Sequence, residues 1–336
     1  MKYRTLGRTG LLVSEIGFGC GNIGGLMVRG SPEEQIAAVD HALKLGINYF
    51  DTAPQYGNGK SETNLGQVLR QLKPDVRVAT KVGISREDLK DLRGTIRRSV
   101  ETSLKRLGRE RLDLLQLHSP VSSDAGDDPN RWTLGLKNVL GKEGVADVFE
   151  QMRSEKLISH LGFTGLGETD SLHRIVSSQR FDVIQAYYNL LNPTAGVPVQ
   201  GFVGQNFRQL IDAAAKMQMG VVVIRVMAGG ALGGEVARKG HASPTVGGAL
   251  VPNAEYDADE KRAAKVEFLR EGDIRTLAEA AVRFALMHES VSAVLVGFSS
   301  IEQIDDAVGC SGKTPLSAVA MKRLKALWSS DFAAHN

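Results

Sequence analysis

The stretch Ile47-Asn-Tyr-Phe-Asp-Thr-Ala-Pro-Gln-Tyr56 has the composition of a short buried strand that runs directly into a loop. Pro54 and Gly57 are typical turn residues, so the chain is expected to bend sharply there. A helical pattern follows over Ser61–Leu72, and the next strand is predicted over Arg77–Lys81. This order of strand, loop and helix indicates the unit from which the fold is built.

The same unit recurs along the chain. The predicted strands are Glu15–Gly19, Ile47–Asp51, Arg77–Lys81, Leu112–His118, Ile158–Phe163, Phe181–Tyr187, Gly220–Arg225 and Val291–Val296. Each is followed by a helical pattern, and such alternation is typical of a parallel sheet. Eight units fit a closed (β/α)8 barrel, the TIM barrel, better than an open sheet. We therefore expect one α/β domain over residues 1–336, preceded within it by a β-hairpin over residues 3–16.

Helix signals and long loops complete this interpretation. Ser31-Pro-Glu-Glu34 predicts a capping box, Ser300-Ile-Glu-Gln303 predicts another, and Thr314-Pro315 indicates the start of a last helix. Three long insertions, 119–141, 190–205 and 227–273, follow strands and should lie on the C-terminal, catalytic face of the barrel. The third is rich in glycine and then in charge, which favours a lid or a mobile loop.

Composition places the chain among soluble globular proteins. It is 42% hydrophobic and 24% charged over 336 residues, and its net charge is only +3. Without a basic stripe we expect no nucleic-acid partner, and without a long apolar run we expect no membrane span. Two distant cysteines and no leader-like N-terminus indicate a reduced, cytoplasmic location. Composition leaves the oligomeric state open.

Four polar residues fall at or just beyond three consecutive strand ends. They are Asp51, Tyr56, Lys81 and His118. In a barrel these strands are neighbours, so the four side chains should meet at one rim. An ammonium at Lys81 would lower the pKa of the Tyr56 phenol, and Asp51 would fix that ammonium. Tyr56 could then exchange a proton with a substrate oxygen that His118 orients.

Each of these residues alone has an ordinary explanation, such as a loop cap, a packed aromatic, a solvated lysine or a core histidine. Their joint placement favours a catalytic group. The remaining histidines, including His41, His160 and His173, lack ligand spacing, so no metal site is expected. Because no side chain donates hydride, the proposed chemistry requires a nicotinamide.

A glycine-rich stretch, Gly19-Cys-Gly-Asn-Ile-Gly24, matches the pattern GxGxxG after a strand. No helix begins at its end, and the acidic residue about twenty positions on is Asp40, inside a helix, so a dinucleotide fingerprint is rejected. We expect instead that Gly21 lets the backbone approach the cofactor pocket, with Asn22 and Ile23 beside the substrate.

These residues and several others carry a resemblance to the aldo-keto reductases over nearly the whole chain. The matching pieces are Tyr3-Arg-Thr-Leu-Gly-Arg-Thr-Gly10, Phe50-Asp-Thr-Ala53 with Tyr56-Gly57, Ser61-Glu-Thr-Asn-Leu-Gly66, Thr80-Lys81, Arg98-Ser-Val-Glu-Thr-Ser-Leu-Lys-Arg-Leu107, Leu112-Asp-Leu-Leu-Gln-Leu-His118, Gln185, Tyr188-Asn189 and the segment from Gly297 onward. The resemblance implies the tetrad Asp51, Tyr56, Lys81 and His118, and a carbonyl or sugar substrate interconverted with its alcohol or lactone. It also implies NAD(P)H bound without a Rossmann domain.

The resemblance further implies a set of cofactor-binding residues. Gln185, Thr164 and Gly165 would lie near the nicotinamide carboxamide. Arg225, at the end of the seventh strand, is also expected to bind the cofactor; from the residues themselves, Met227 and Gly229-Gly230 could touch the pyrophosphate or simply make a turn. Gly297, Ser299, Gln303 and Asp306 would hold the adenosine end, where a helix N-terminus can bind phosphate.

Three departures from the family pattern bear on the cofactor. Thr164-Gly165 stands where Ser-Asn is common, and Ile224 or Arg225 stands where a stacking aromatic is common. Gly297 and Gln303 carry no charge where basic residues often grip a 2′-phosphate, which favours NAD or dual use over strict NADP. Thr164-Gly-Leu-Gly167 and Arg225-Val-Met-Ala-Gly-Gly230 are similar to the aldose and galactose dehydrogenases.

Two other functions stay open from the residues alone. Lys81 could form a Schiff base in a barrel lyase or aldolase, although pairing with Asp51 would keep its amine protonated. A non-catalytic, nicotinamide-binding regulatory protein is the other alternative. Trp132, in the insertion after the fourth strand, is expected either to wall the substrate site or to pack its own loop.

Overall fold

The computed structural model describes residues 1–126, 132–233 and 240–333, and its chain begins with an antiparallel hairpin. The hairpin strands are β1 (Tyr3–Thr5) and β2 (Leu12–Ser14), joined by the 3-10 turn Gly7–Thr9. Leu6 and Val13 are fully buried against side chains that point into the barrel from its strands. The hairpin therefore plugs the N-terminal end of the barrel.

Eight parallel strands close the barrel, in agreement with the predicted fold. They are β3 (Ile16–Gly19), β4 (Tyr49–Asp51), β5 (Arg77–Val82), β6 (Leu112–Leu117), β9 (Ile158–Gly165), β10 (Val183–Tyr187), β11 (Gly220–Ile224) and β12 (Ala293–Gly297). Around the barrel the order is β10-β11-β12-β3-β4-β5-β6-β9. A short parallel pair, β7 (Val121–Ser122) and β8 (Leu134–Gly135), lies in the insertion after β6.

Helices surround the strands and pack an apolar core against their outward faces. The α-helices are α1 (Leu26–Arg29), α2 (Pro32–Lys44), α3 (Lys60–Leu72), α4 (Leu92–Leu107), α5 (Leu136–Leu140), α6 (Val145–Ser154), α7 (Thr169–Ser177), α8 (Leu210–Lys216), α9 (Tyr256–Ala264), α10 (Leu277–Leu286), α11 (Glu302–Gly309) and α12 (Ala318–Ser329). Further 3-10 turns span Glu87–Asp91, Ala228–Gly233 and Glu267–Leu269. Within the described ranges, none of the helices has the length and apolar character needed to cross a membrane.

Inward-pointing residues form two layers of opposite character. The lower layer is apolar and includes Tyr49, Ala79, Leu114, Val183 and Val222. Because strand side chains alternate between faces, the residues two positions further along point inward as well. They include the polar residues Asp51, Lys81, Gln116 and Gln185, which are nearly completely buried. The polar layer thus lies at the C-terminal end of the barrel and packs against the apolar layer beneath it.

Of the three predicted helix starts, the one at Ser31 is confirmed and the other two are wrong. Ser31 forms the complete capping box with Glu34 at the start of α2, as predicted. The predicted box at Ser300 is wrong, since α11 begins at Glu302 without a side-chain cap, and Gln303 instead accepts hydrogen bonds from Ser299. The last helix is capped by Ser317 rather than opened by Thr314-Pro315.

Candidate active site

Lys81 lies at the centre of the polar layer with all three ammonium protons engaged. Its Nζ donates to Asp51 Oδ1, to the carbonyl oxygen of Thr52 at 2.9 Å and to the Tyr56 hydroxyl at 3.3 Å. Burial alone would lower the pKa of Lys81, but the Asp51 carboxylate and Tyr56 raise it above its usual value. The side chain is therefore a buried, fully hydrogen-bonded cation.

Both carboxylate oxygens of Asp51, the partner of Lys81, accept hydrogen bonds. Besides the ion pair at Oδ1, its Oδ2 accepts from the side-chain amides of Gln116 at 2.9 Å and Gln185 at 2.6 Å. A buried carboxylate is stable only when such donors replace its hydration. The three donors come from β5, β6 and β10, so the closed barrel itself orients this carboxylate.

Tyr56 lies on the turn after β4, with its hydroxyl beside Lys81 and its ring 5.8 Å from that of His118, edge to face. Burial raises the pKa of Tyr56 above its usual value, although Lys81 and Arg225 act to lower it. Lys81 lowers this pKa as expected, but desolvation has the larger effect, so the net shift is upward. Tyr56 is protonated at neutral pH.

His118 follows β6 and completes the group. Its Nδ1 lies 3.1 Å from the side-chain oxygen of Gln55. Burial, and secondarily the charge of Lys81, lowers the pKa of His118 to about 3. The ring is therefore neutral over the ordinary pH range and can orient an oxygen-bearing ligand through a hydrogen bond without exchanging its own proton. The structure thus brings all four predicted tetrad residues together.

The thiol of Cys20 is buried close to Asp51 and Lys81. Burial and the Asp51 charge raise the pKa of Cys20 far above its usual value, so the thiol stays protonated. A buried protonated thiol is a poor nucleophile. The reactive groups here are the phenol and the ammonium.

Two neighbouring residues fit the carboxamide of a nicotinamide. Thr164 and Gln185 are register partners on β9 and β10. Thr164 Oγ1 is buried with no hydrogen-bond partner, and the Nε2 of Gln185 is committed to Asp51. The Gln185 oxygen and the Thr164 hydroxyl therefore remain for an external amide, which can both donate and accept. Gly165 lies beside them, where an added Cβ would come 2.9 Å from the carbonyl oxygen of Gln185.

The predicted pyrophosphate residues lie on a tight turn after β11. Arg225 has a left-handed backbone with φ of 59°, and its carbonyl accepts from Ala228 N at 2.8 Å and Asn189 Nδ2 at 3.0 Å. Gly230, with φ of 115°, donates its N–H to the carbonyl of Met227. The Arg225 side chain borders a small cavity whose other walls include Tyr187, Tyr256, Asp259 and residues 246–250.

The predicted adenosine-end residues lie together at the end of β12. Gly297 is exposed, and a Cβ there would meet only ordinary contacts with Gly24. Ser299 donates through N and Oγ to Gln303, so these two polar side chains are already paired with each other. Asp306 is exposed on α11. Gln303 itself carries no charge, so the preference for NAD or dual use stays a prediction.

The loop after β3 lies against the tetrad. A Cβ on Gly21 would make an ordinary van der Waals contact with the Tyr56 ring at 3.6 Å, so the backbone of this loop lies beside the phenol and the glycine is not required for that approach. Asn22 accepts from Gly57 N at 2.9 Å through its side chain, and the carbonyl of Ile23 accepts from Ser243 N at 2.9 Å. The Asn22 side chain therefore holds the loop that carries Tyr56. A contact of Asn22 with substrate stays a prediction.

Trp132 packs against Gly126 of its own insertion and against Arg86 in the loop after β5. The guanidinium of Arg86 lies 5.0 Å from the centre of its ring, and a Cβ on Gly126 would come within 2.9 Å of it. These contacts agree with the loop-packing interpretation. The buried Nε1 of Trp132 has no hydrogen-bond partner among the described residues, and its role as a wall for substrate stays a prediction.

A short strap, residues 240–243, lies against the loops after β3 and β12. Its His241 N donates to the carbonyl of Ser299 at 3.3 Å, and its carbonyl accepts from Arg29 Nε at 2.8 Å. The His241 ring also contacts Glu34 at 3.0 Å. The strap belongs to the predicted lid 227–273, of which residues 234–239 lie outside the described ranges.

Sequence reasoning missed two amide side chains of the site, Gln55 and Gln116. Gln55 lies inside the stretch from Asp51 to Tyr56, and Gln116 lies two positions before His118 on the same strand. Period-two alternation along β6 could have indicated that Gln116 points inward like Leu114.

Comparisons with known proteins agree with this geometry. The model of the Aldo/keto reductase family matches residues 15–329. The L-galactose dehydrogenase of Arabidopsis thaliana is 28% identical over 96% of this chain and 91% of its own length. The D-threo-aldose 1-dehydrogenase of a Pseudomonas species is 31% identical over 88% of each chain. An aldo-keto reductase from Bacillus halodurans in its holo form superposes with a TM-score of 0.71 at 27% identity, covering 100% of this chain and 98% of its own. Since the family model spans nearly the whole chain, the protein belongs to the aldo/keto reductase family.

Proposed function

We propose that this NAD(P)-dependent oxidoreductase interconverts a carbonyl group and the corresponding alcohol or lactone, with Tyr56 as the general acid and base. The observation that carries the proposal is the contact of Lys81 Nζ with the Tyr56 hydroxyl, on a lysine held by Asp51 and Thr52. A phenol beside a fixed cation can lose and regain a proton during reaction. A bound nicotinamide would supply or accept the hydride.

In the direction of reduction, the protonated phenol donates its proton to the substrate oxygen. The phenolate that forms is stabilised by the ammonium 3.3 Å away, which already points at that oxygen. Because the ammonium is positioned beforehand, little reorganisation accompanies the charge change. In the direction of oxidation, the same phenolate takes the proton back.

His118 serves as the orienting group in this proposal. Its ring is neutral and lies edge-on to Tyr56, so a substrate oxygen bound between them meets two polar groups. Gln55 at 3.1 Å limits rotation of the ring. Proton transfer from Tyr56 requires that the substrate oxygen be held at the right distance and angle, and His118 would hold it there.

For the substrate class we favour an aldose or a related hydroxyaldehyde. Support comes from the names of two relatives that span most of this chain, an L-galactose dehydrogenase and a D-threo-aldose dehydrogenase. For the cofactor we favour NAD or dual use, because Gly297 and Gln303 carry no charge at the predicted adenosine end.

A substrate panel tests the proposal. Aldoses, aliphatic aldehydes and aromatic aldehydes are assayed with NAD, NADP and their reduced forms in both directions, by absorbance of the reduced cofactor. We expect turnover of at least one aldose or aldehyde. Absence of turnover over the whole panel, together with no quenching or enhancement of NADH or NADPH fluorescence on binding, would overturn it.

The Schiff-base alternative finds little support in the geometry. All three protons of the Lys81 ammonium are donated, and its pKa is raised by Asp51, so the free amine that a Schiff base requires is scarce. Borohydride in the presence of a carbonyl substrate should therefore leave Lys81 unmodified, as read by mass spectrometry of the peptide that contains it. The regulatory alternative predicts tight NADH binding without turnover over the same panel.

A further inference from the structure

Gln116 is a buried amide among the buried leucines of β6. Its neighbours on β6, Leu114, Leu115 and Leu117, are buried leucines, and Gln116 itself is fully buried. Its Nε2 donates to Asp51 Oδ2 at 2.9 Å, whereas its Oε1 has no partner in the described part of the chain. Burying an amide oxygen without a hydrogen bond is unfavourable, so a glutamine here costs stability that a leucine would not.

The facing strand is shaped to admit this side chain. Gly162 on β9 is the register partner of Gln116. A Cβ at Gly162 would lie 2.9 Å from Gln116 Cγ and 3.1 Å from the carbonyl oxygen of Val183. The absence of a side chain at Gly162 therefore leaves the room through which the amide reaches Asp51. Gln116 on β6 and Gly162 on β9 thus both contribute to the contact with Asp51.

We propose that Gln116 is a positioning residue for the proposed proton transfer: it fixes the Asp51 carboxylate so that the Lys81 ammonium stays directed at the Tyr56 hydroxyl. The inference rests on the proposed function, and it adds a residue to which neither the tetrad nor the predicted cofactor set gives a role. Gln116 touches Asp51 rather than any reacting atom, so it acts through the carboxylate.

The geometry gives the physical reason. Asp51 Oδ1 engages Lys81, while Oδ2 is held by Gln116 and Gln185. A carboxylate anchored at one oxygen cannot rotate about its χ2 angle without losing those bonds. Lys81 has a second acceptor in the Thr52 carbonyl at 2.9 Å, so a freely rotating Asp51 would let the ammonium turn away from Tyr56. Gln185 alone would leave Oδ2 with a single donor.

The test compares Gln116→Met with Gln35→Met. Methionine is close in size to glutamine but makes no such hydrogen bond, and Gln35 is likewise a buried glutamine, donating to the carbonyls of Gly30 at 2.9 Å and Leu26 at 3.3 Å outside the tetrad. For Gln116→Met we expect kcat to fall by about 10- to 100-fold with NADH Kd within about twofold of wild type. For Gln35→Met we expect wild-type kcat. Wild-type kcat in Gln116→Met would overturn the inference.

A double-mutant cycle separates positioning from general disruption. In an Asp51→Ala background, which lacks the acceptor, Gln116→Met should change kcat by less than about twofold. The same further loss in both backgrounds would contradict action through Asp51. Gly162→Ala, which crowds Gln116 from the other strand, should reproduce the loss of kcat, and wild-type kcat in that variant would also count against the inference.

Urea unfolding gives a readout that does not depend on turnover. If Gln116 acts on Asp51, the shifts of the unfolding midpoint caused by Gln116→Met and Asp51→Ala should be non-additive, whereas those of Gln35→Met and Asp51→Ala should add. Non-additive shifts in an enzyme that turns over no substrate would refute the proposed function but keep the Gln116 contact. Additive shifts with normal turnover would refute the contact alone.

Discussion

The Tyr56 hydroxyl is subject to opposing influences from its surroundings. Burial and the Asp51 charge favour the phenol, while Lys81 and Arg225 favour the phenolate, and the outcome is a pKa above the usual value. A group that keeps its proton at neutral pH but has a cation 3.3 Å away is suited to donate that proton only when hydride transfer creates negative charge on the substrate oxygen. The burial and the charges around Tyr56 therefore determine when its hydroxyl gives up the proton.

The raised pKa of Tyr56 predicts a pH dependence of opposite sign in the two directions. Reduction needs the protonated phenol, so kcat for reduction should be flat from about pH 6 to about pH 9 and decline only at higher pH. Oxidation needs the phenolate, so its kcat should rise with pH over the same range. Rate profiles in both directions test this, and a decline of the reduction rate centred near neutral pH would contradict it.

His118 predicts an acid sensitivity of folding. Its pKa of about 3 in the folded protein lies below the value of about 6.5 expected when unfolded. As pH falls below about 6.5, the unfolded chain takes up a proton that the folded chain does not, so the free energy of unfolding should decrease. Urea midpoints at two pH values should differ less in His118→Asn than in wild type. His173→Asn, on the outer helix α7, serves as control; an unchanged difference in His118→Asn would contradict the assignment.

At the scale of elements, a single side chain of α1 links two of the loops at the barrel mouth. The guanidinium of Arg29 bridges the strap 240–243 to the loop after β3, donating to the carbonyls of His241 at 2.8 Å and Asn22 at 2.5 Å. The predicted lid is thus held partly by one side chain of α1.

Arg29→Ala should loosen this strap. We expect faster proteolytic cleavage near residues 240–243 and weaker NADH binding, because backbone groups that lose their partners open more readily. Limited proteolysis followed by mass spectrometry measures the first effect, and fluorescence titration the second. Arg98→Ala, an exposed arginine on α4, is the control. Cleavage at the wild-type rate would show that Arg29 does not restrain the strap.

The strands and the tetrad could be predicted because both depend on local pattern. Apolar runs that end in Asp51, Lys81 and His118 indicate where parallel strands stop, and a closed barrel brings such ends together. The contact of Gln116 with Asp51 could not be predicted, since it depends on the register with β9 and on the room left by Gly162. Likewise, the net pKa shift of Tyr56 depends on how far the folded protein buries the phenol, which the sequence of its own loop does not indicate.

For the molecule as a whole, stability and chemistry are assigned to opposite ends of the barrel. The hairpin closes the N-terminal end with Leu6 and Val13 against an apolar layer, and the polar layer opens toward the C-terminal mouth. Barrels of this type commonly divide the two tasks in this way.

This division predicts that the hairpin affects folding without affecting turnover. Leu6→Ala removes a fully buried side chain and should lower the free energy of unfolding by about 2–5 kcal/mol with kcat unchanged. Leu12→Ala, at a position 55% exposed on the same hairpin, should cost less than about 0.5 kcal/mol. Urea unfolding and steady-state kinetics measure both effects. A loss of kcat in folded Leu6→Ala would contradict the division.

The most direct test of the account is the turnover of Tyr56→Phe, measured beside its affinity for NADH. Phenylalanine keeps the ring that packs against Gly21 and His118 and removes only the hydroxyl that Lys81 contacts. We expect kcat to fall by about 10²- to 10⁴-fold while Kd for NADH stays within about twofold of wild type. Wild-type kcat in Tyr56→Phe would contradict the central claim, because another group would then have to exchange the proton.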